Sequence, residues 1–187
     1  DKLVGKLTAK LDELGIRENT LVIFTGDNGT AGAILSKLNG QQVRGGKGEM
    51  TDAGTHVPLI ANWPDTISEG RVVDDLVDFS DFLPTLCETA GVSVPSELKI
   101  DGRSFLPQLK GETGNPREWV YCWYLAKTGD VQEWTRDQRY KLYRTGKFYD
   151  VSQDRLEQTP LKDLSPEAKV AQAQLQTVLD QYKDARP

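Results

Sequence analysis

The sequence predicts an α/β half followed by a small antiparallel sheet with a packing carboxyl-terminal helix. Three observations predict it. A β-branched and aromatic run, Leu21-Val22-Ile23-Phe24, ends in Thr25-Gly26 and reads as a buried strand. A second run, Val57 to Asn62, is apolar on both faces and reads as a central strand. From Trp119 onward, short aromatic runs take over and lead to a helix that starts at Ser165.

The elements follow in order. Leu3, Val4, Leu7, Leu11 and Leu14 fall on one helical face, and Gly15 is a natural carboxyl-terminal cap. Ile16 to Asn19 then lead into the strand at 20–25. Residues 30–46 read as a long loop with one apolar patch, Ala33-Ile34-Leu35; a loop of that length in a compact domain usually carries function. Trp63-Pro64 ends the second strand, because Pro cannot continue a ladder. Val72 to Val77 reads as a short strand. Ser80 caps a helix that runs to Ala90, with Pro84 in its first turn, where a missing N–H costs little, and Gly91 closes it. Cys87 shares an apolar face of that helix with Leu83, Leu86 and Ala90, which predicts a buried thiol. The Pro- and Gly-rich stretch 92–118 reads as surface connection, with a domain boundary between residues 1–111 and 112–187.

Beyond the boundary, Trp119 to Tyr124, Gln132 to Arg136, Tyr140 to Arg144 and Lys147 to Val151 read as strands. Thr145-Gly146 makes a hairpin turn between the last two. Pro166 occupies the first position of the final helix, whose buried stripe is Ala168, Ala171, Leu175, Val178, Leu179 and Tyr182. Cys122 sits in an aromatic strand, and pairing with Cys87 is left open.

A chain of 187 residues is one large domain or one and a half small ones. A net charge of −5, a pI near 5.0 and scattered basic residues argue against nucleic-acid binding. No apolar run approaches the ~20 residues of a membrane span. Two cysteines do not define a redox compartment.

The chemistry concentrates in two places. Asp27-Asn28-Gly29 follows the first strand directly, and open α/β sheets place their sites just beyond the carboxyl ends of strands. Arg44-Gly45-Gly46-Lys47-Gly48 comes next. Asp and Asn oxygens suit a hard cation, and Lys suits an anion. Delivered to one crevice, they would bind an anionic ester through a metal. Asp-Asn-Gly is also ordinary turn chemistry. The lysine segment is no nucleotide P-loop, because Gly48 occupies the Ser/Thr place.

Five blocks in order carry a resemblance: NTLVIFTGDNG (19–29), RGGKGEMTDAGTHVPLIANWP (44–64), VDFSDFLPTLCETAGV (77–92), DGRSFLPQLKG (101–111) and RYKLYRTGKFYDVSQDRLE (139–157). Together they resemble the sulfatase family of the alkaline-phosphatase-like superfamily, over nearly the whole chain. The resemblance implies the carboxyl-terminal portion of a sulfuric ester hydrolase with a sulfatase-type α/β sheet domain. It assigns Asp27 and Asn28 as calcium ligands, completing a site begun by two acidic residues upstream. It assigns Lys47 as the lysine that holds the sulfate group. The physical reason is charge: an ammonium about 4 Å from a sulfate oxygen is worth about 4 kcal/mol at an effective dielectric of about 20.

The family's nucleophile is a Cys or Ser in a C/S-x-P/A-x-R motif, matured to formylglycine. Cys87 is followed here by Glu-Thr-Ala-Gly and Cys122 by Trp-Tyr-Leu-Ala, and Ser93-Val-Pro-Ser-Glu lacks the Arg. The expectation is a chain inactive by itself, with a full calcium site only in the intact parent. His56 matches a position at the site edge and is a candidate substrate contact; otherwise it is a hydrogen-bonded residue at the strand entry. Asp52 and Thr55 replace what is often Glu-Gly-Gly. Arg44 is expected on backbone carbonyls, and the DGRSFLP segment on packing and turn duties. Trp119, Trp123, Tyr124 and Trp134 read as core of the small sheet, with Trp134 or loop residues 126–138 as candidates for substrate specificity.

The resemblance also implies a sulfated small molecule or carbohydrate as partner, and a periplasmic or secreted parent. Two other readings stand beside it. One is a phosphomonoester or phosphonate-ester hydrolase of the same superfamily, although Asp-Asn followed by Lys favours one calcium over two zincs. The other is a non-catalytic module that associates with itself through the open edge of the strand at 20–25.

Overall fold

The computed structural model describes residues 1–38, 40–68, 70–125 and 129–184. In chain order the elements are α1 (Lys2–Glu13), β1 (Val22–Thr25), β2 (Leu35–Leu38), β3 (Gln41–Arg44), α2 (Asp52–Thr55), β4 (Leu59–Asn62), a 3-10 turn (Phe79–Asp81), α3 (Phe82–Thr89), α4 (Leu106–Lys110), β5 (Val120–Tyr124), β6 (Gln132–Arg136), β7 (Tyr140–Tyr143), β8 (Phe148–Asp150) and α5 (Pro166–Gln181). The chain divides into two compact units, Asp1–Gly26 with Pro58–Pro116, and Asp27–Val57 with Arg117–Pro187.

In the first unit, α1 ends as its sequence predicts. Gly15 takes a φ of 65°, its N–H donates to Asp12, and the Ile16 N–H reaches back to Leu11, which is the Schellman pattern. The apolar stripe of α1 is exposed; no residue of the helix is buried. β1 pairs antiparallel with β4 in the register Val22↔Asn62 to Thr25↔Leu59. This corrects the expectation of a central strand at 57–62. Among the described residues β4 has β1 as its one ladder neighbour, and the cross-strand pair Phe24↔Ile60 stays open to solvent.

Four further expectations change here. Residues 72–77 form no strand element. The helix beginning near residue 80 is capped by Asp78 instead of Ser80. Asp78 accepts from the Ser80 N–H at 2.9 Å while Asp81 accepts from the Asp78 N–H at 2.8 Å, a reciprocal box that satisfies two orphan donors. The helix then buries Asp81 and Thr85, with Cys87 half-buried and Leu83 and Leu86 exposed. The predicted buried thiol face is therefore not the face that packs. The packing face is polar because it receives the 101–106 segment. Asp81 accepts from the Arg103 N–H at 2.7 Å, and the Thr85 hydroxyl accepts from the Phe105 N–H at 3.0 Å. That segment runs into α4 and buries Phe105, Leu106 and Gln108, so 92–118 is more than surface connection.

In the second unit, residues 30–46 are not one loop: β2 and β3 form an antiparallel hairpin from Leu35↔Arg44 to Leu38↔Gln41. The four carboxyl-terminal strands form a meander in the order β5-β6-β7-β8. Gly146, at φ 84°, donates to Tyr143 and closes the predicted turn. Ser165 caps α5 by accepting from the Ala168 N–H at 3.2 Å, with Pro166 at the first helical position. One face of the meander carries Tyr140, Leu142 and Phe148 against Ala168, Ala171, Leu175 and Leu179 of α5. Burying each of the larger side chains is worth about 1.5–3 kcal/mol. The predicted stripe is the observed one, and Tyr182 extends it by stacking on Tyr121 at 4.3 Å. Trp134 is buried in this unit, while Trp119, Trp123 and Tyr124 are half-buried.

Candidate functional site

Asp27-Asn28-Gly29 and Arg44 to Gly48 both belong to the second unit, and glycines bring their backbones together. The Gly29 N–H donates to the Gly54 carbonyl at 2.9 Å. A Cβ on Gly29 would overlap the Ala53 carbonyl oxygen, so only glycine permits this approach. The Lys47 N–H donates to the Thr30 carbonyl at 2.9 Å, and the Gly45 N–H to Ile34 at 3.0 Å. Gly46 is buried, and a Cβ there would lie 2.6 Å from the Ala53 Cβ. A Cβ on Gly54 would lie 2.5 Å from the Gly46 oxygen. Three segments, around residues 28–30, 45–47 and 53–54, are thus packed main chain on main chain.

Side chains leave this close-packed base. Asp27 and Lys47 are exposed and Asn28 is half-buried. The turn after Lys47 closes with a Glu49 N–H to Gly46 carbonyl bond at 2.8 Å, and Gly48 sits at φ 88°. Arg44 donates through Nε to the Gly32 carbonyl at 2.8 Å, the backbone duty expected of it. Asp27 and Asn28 offer a carboxylate and a carboxamide, the donor types a hard cation prefers. Calcium needs about six to eight oxygens, so the pair is part of a shell. Among the described residues no three His, Cys, Asp or Glu side chains cluster as a metal site.

His56 is exposed at the end of α2, with Nδ1 3.5 Å from Asp52 Oδ2. Asp52 also accepts from Arg136 Nη1 at 2.8 Å. Burial by itself would raise the Asp52 carboxyl; the His56 contact and the Arg136 guanidinium outweigh it and hold the group below its ordinary value.

Beside this pair lies a buried cation. Lys141, on β7, has no exposed side-chain surface. It donates to the Met50 carbonyl and, at 2.7 Å, to Glu157 Oε1. Glu157 accepts from the Tyr143 hydroxyl as well. Burial pulls Lys141 below its ordinary value against the pull of Glu157. Burial and then Glu157 push Tyr143 far up. None of Arg136, Lys141, Tyr143 or Glu157 is singled out by motif. The signal available was a lysine inside an aromatic strand, Tyr140-Lys141-Leu142-Tyr143, which alternation reads as a solvent-facing position. No disulfide joins Cys87 and Cys122. Of the loop named as a specificity candidate, 126–128 lie outside the described residues.

A family model described as Sulfatase matches residues 1–92. The chain is similar to the steryl-sulfatase of Mus musculus, at 40% identity over 116 residues, covering 58% of this chain and 18% of that protein. It superimposes on a structure described as a 2-O GAG sulfatase with a TM-score of 0.74 at 28% identity, covering 97% of this chain and 40% of the other. A protein solved in complex with its substrate, D-glucosamine-2-N,6-O-disulfate, gives a TM-score of 0.71 at 25% identity, covering 98% of this chain and 39% of the other. The chain spans about a fifth of the length of such curated relatives and corresponds to their carboxyl-terminal part.

Proposed function

The chain belongs to the sulfatase family, and from that premise we propose that it supplies part of the active site of a sulfuric ester hydrolase. Asp27 and Asn28 are metal ligands in this reading, Lys47 holds the sulfate group, and His56 stands at the edge of the substrate site. The observation that supports this reading is the glycine-packed base: the Lys47 N–H bonds to the Thr30 carbonyl and the Gly29 N–H to the Gly54 carbonyl, so the main chain around Asn28 and around Lys47 runs side by side.

The roles follow from charge. A sulfate monoester is anionic, and negative charge grows on the bridging oxygen as the S–O bond breaks. The Lys47 ammonium binds the sulfate oxygens and needs no proton transfer to do so. Asp27 and Asn28 present oxygen donors to a hard cation, calcium by family resemblance. Bound there, the ion supplies further positive charge at the sulfate. The nucleophile comes from outside this sequence, which has no C/S-x-P/A-x-R motif. The chain alone is therefore inactive. The substrate class is a sulfated carbohydrate or related small molecule, the class named for the solved relatives.

The test is reconstitution. The chain alone, with or without calcium, is expected to leave an aryl sulfate unhydrolysed. Joined to the upstream part of a sulfatase that carries the nucleophile, it is expected to give turnover, and Lys47→Ala to lower kcat by about a hundredfold or more. Turnover by the isolated chain overturns the inactivity. Full activity of the Lys47→Ala enzyme overturns the role of Lys47. Preference for a phosphate monoester in the same assay moves the reading to a phosphohydrolase of the same superfamily.

A further inference from the structure

We infer that Lys141 is a positioning residue, a buried ammonium that fastens the Lys47 segment to the carboxyl-terminal sheet. Its consequence for catalysis rests on the sulfate-holding role of Lys47; the fastening itself rests on geometry. Lysine is almost never fully buried without partners. Lys141 is, and its surroundings account for it. The ammonium has three donors. One goes to Glu157 Oε1 at 2.7 Å and one to the Met50 carbonyl. The ring faces of Trp134 and Tyr143 lie 4.2 and 5.2 Å from the nitrogen.

Met50 lies just past Lys47-Gly48-Glu49, so the ammonium grips the main chain of the turn that carries Lys47. On the neighbouring strand, Arg136 makes a parallel tie to Asp52 at 2.8 Å, and Lys141 and Arg136 are cross-strand partners. Two adjacent cations of one sheet therefore hold two nearby points of one segment, Met50 in the turn and Asp52 at the start of α2. Glu157 shows how firmly the arrangement is held. It keeps a φ of 54°, a left-handed conformation that costs a residue other than glycine, while its two oxygens take Lys141 and Tyr143.

A methionine would fill the same space, and replacing buried ion pairs by apolar groups is often neutral for stability. What it would lack is a donor aimed at the Met50 carbonyl. The lysine thus contributes direction, and direction is what a substrate-binding loop needs, because a misplacement of about 1 Å can cost about a hundredfold in rate.

The experiment uses the whole chain, isotope-labelled, and follows amide exchange residue by residue. The variant is Lys141→Met combined with Glu157→Gln, which leaves no unpaired charge and keeps an acceptor for Tyr143. The amides of Gly29, Lys47 and Glu49 are expected to exchange about tenfold faster, while those of Leu142 and the centre of α5 hold their rates. Lys141→Arg with Glu157 intact is expected to restore part of the loss. Equal change at loop and sheet means a merely structural lysine and overturns the inference, as does no change at the loop. If the double variant does not fold, the wild-type chain decides. A Lys141 ammonium signal in slow exchange with water, coupled through the hydrogen bond to the Met50 carbonyl carbon, supports the inference, and its absence overturns it. No readout involves a sulfate ester. A failed reconstitution therefore counts against the sulfatase reading alone, and a failed exchange result against Lys141 alone.

Discussion

The Asp52 carboxylate lies 2.8 Å from Arg136 and 3.5 Å from His56, with little of its side chain exposed. Its pKa is depressed in the fold because those contacts outweigh burial. For a depressed acid, the native state binds fewer protons than the unfolded chain as the pH falls toward the ordinary carboxylate value. The stabilisation is complete above about pH 4 and is lost as the pH drops through the depressed native value. Urea midpoints measured from pH 7 downward should hold steady from this source and then fall below about pH 4. In Asp52→Asn that low-pH fall should be smaller. Parallel curves for the two proteins would remove Asp52 from the account. At this scale the sequence was half legible. Asp27 and Asn28 stand out as candidates by residue type and by their place after the strand at 20–25, and Arg44 and Lys47 by residue type among glycines. Arg136 and Lys141 do not, because their partners Asp52 and Met50 are remote in sequence, and nothing local marks a buried cation.

α5 and the β7–β8 hairpin read correctly because every signal in them agrees: Ser165 and Pro166 at the start, a 3.6-residue stripe, and Gly146 where a positive φ is required. The stripe supports a quantitative prediction. Leu179 has no exposed surface and belongs to the cluster of Tyr140, Leu142, Phe148 and Leu175. Leu179→Ala should cost about 2–5 kcal/mol, read as a lowered urea midpoint with unchanged slope. A loss under about 1 kcal/mol would mean that the helix does not pack as described. Elements whose signals conflict were read less well. Residues 30–46 read as a loop because Gly, Ser, Lys and Gln dilute the alternation, and the residues of β3 are exposed, so burial leaves no periodic trace there. The 92–118 stretch looked like a connection because its composition is Pro- and Gly-rich. Yet Gly102 is required where a Cβ would overlap the Ser80 carbonyl, and the segment packs through Arg103, Phe105 and Leu106. Composition could not distinguish a glycine kept for close packing from one kept for freedom.

For the molecule as a whole, apolar surface and strand edges point to one expectation. α1 buries none of its residues, with Leu3 77% and Leu7 52% exposed, and Leu14 just after it is 56% exposed. In the same unit the Phe24↔Ile60 pair is 46% and 58% exposed on a sheet of two strands. Two-stranded sheets are marginal by themselves, and their edges are templates for pairing with other chains. Exposed apolar patches on soluble chains generally mark surfaces that something covers. The chain spans about two fifths of the solved sulfatase chains on which it superimposes, so the expected cover is the remainder of a sulfatase domain. Without that cover, the isolated chain should associate with itself through this unit. Light scattering across a concentration series should report a mass that rises above 20.8 kDa with concentration. Phe24→Lys combined with Ile60→Lys should return it toward the monomer, because like charges directly opposite each other on paired strands repel. Joining the upstream part of the domain should abolish the association without any substitution. A chain that stays monomeric at every concentration would show that these faces do not attract one another, and the self-associating reading would fall while the sulfatase reading stood.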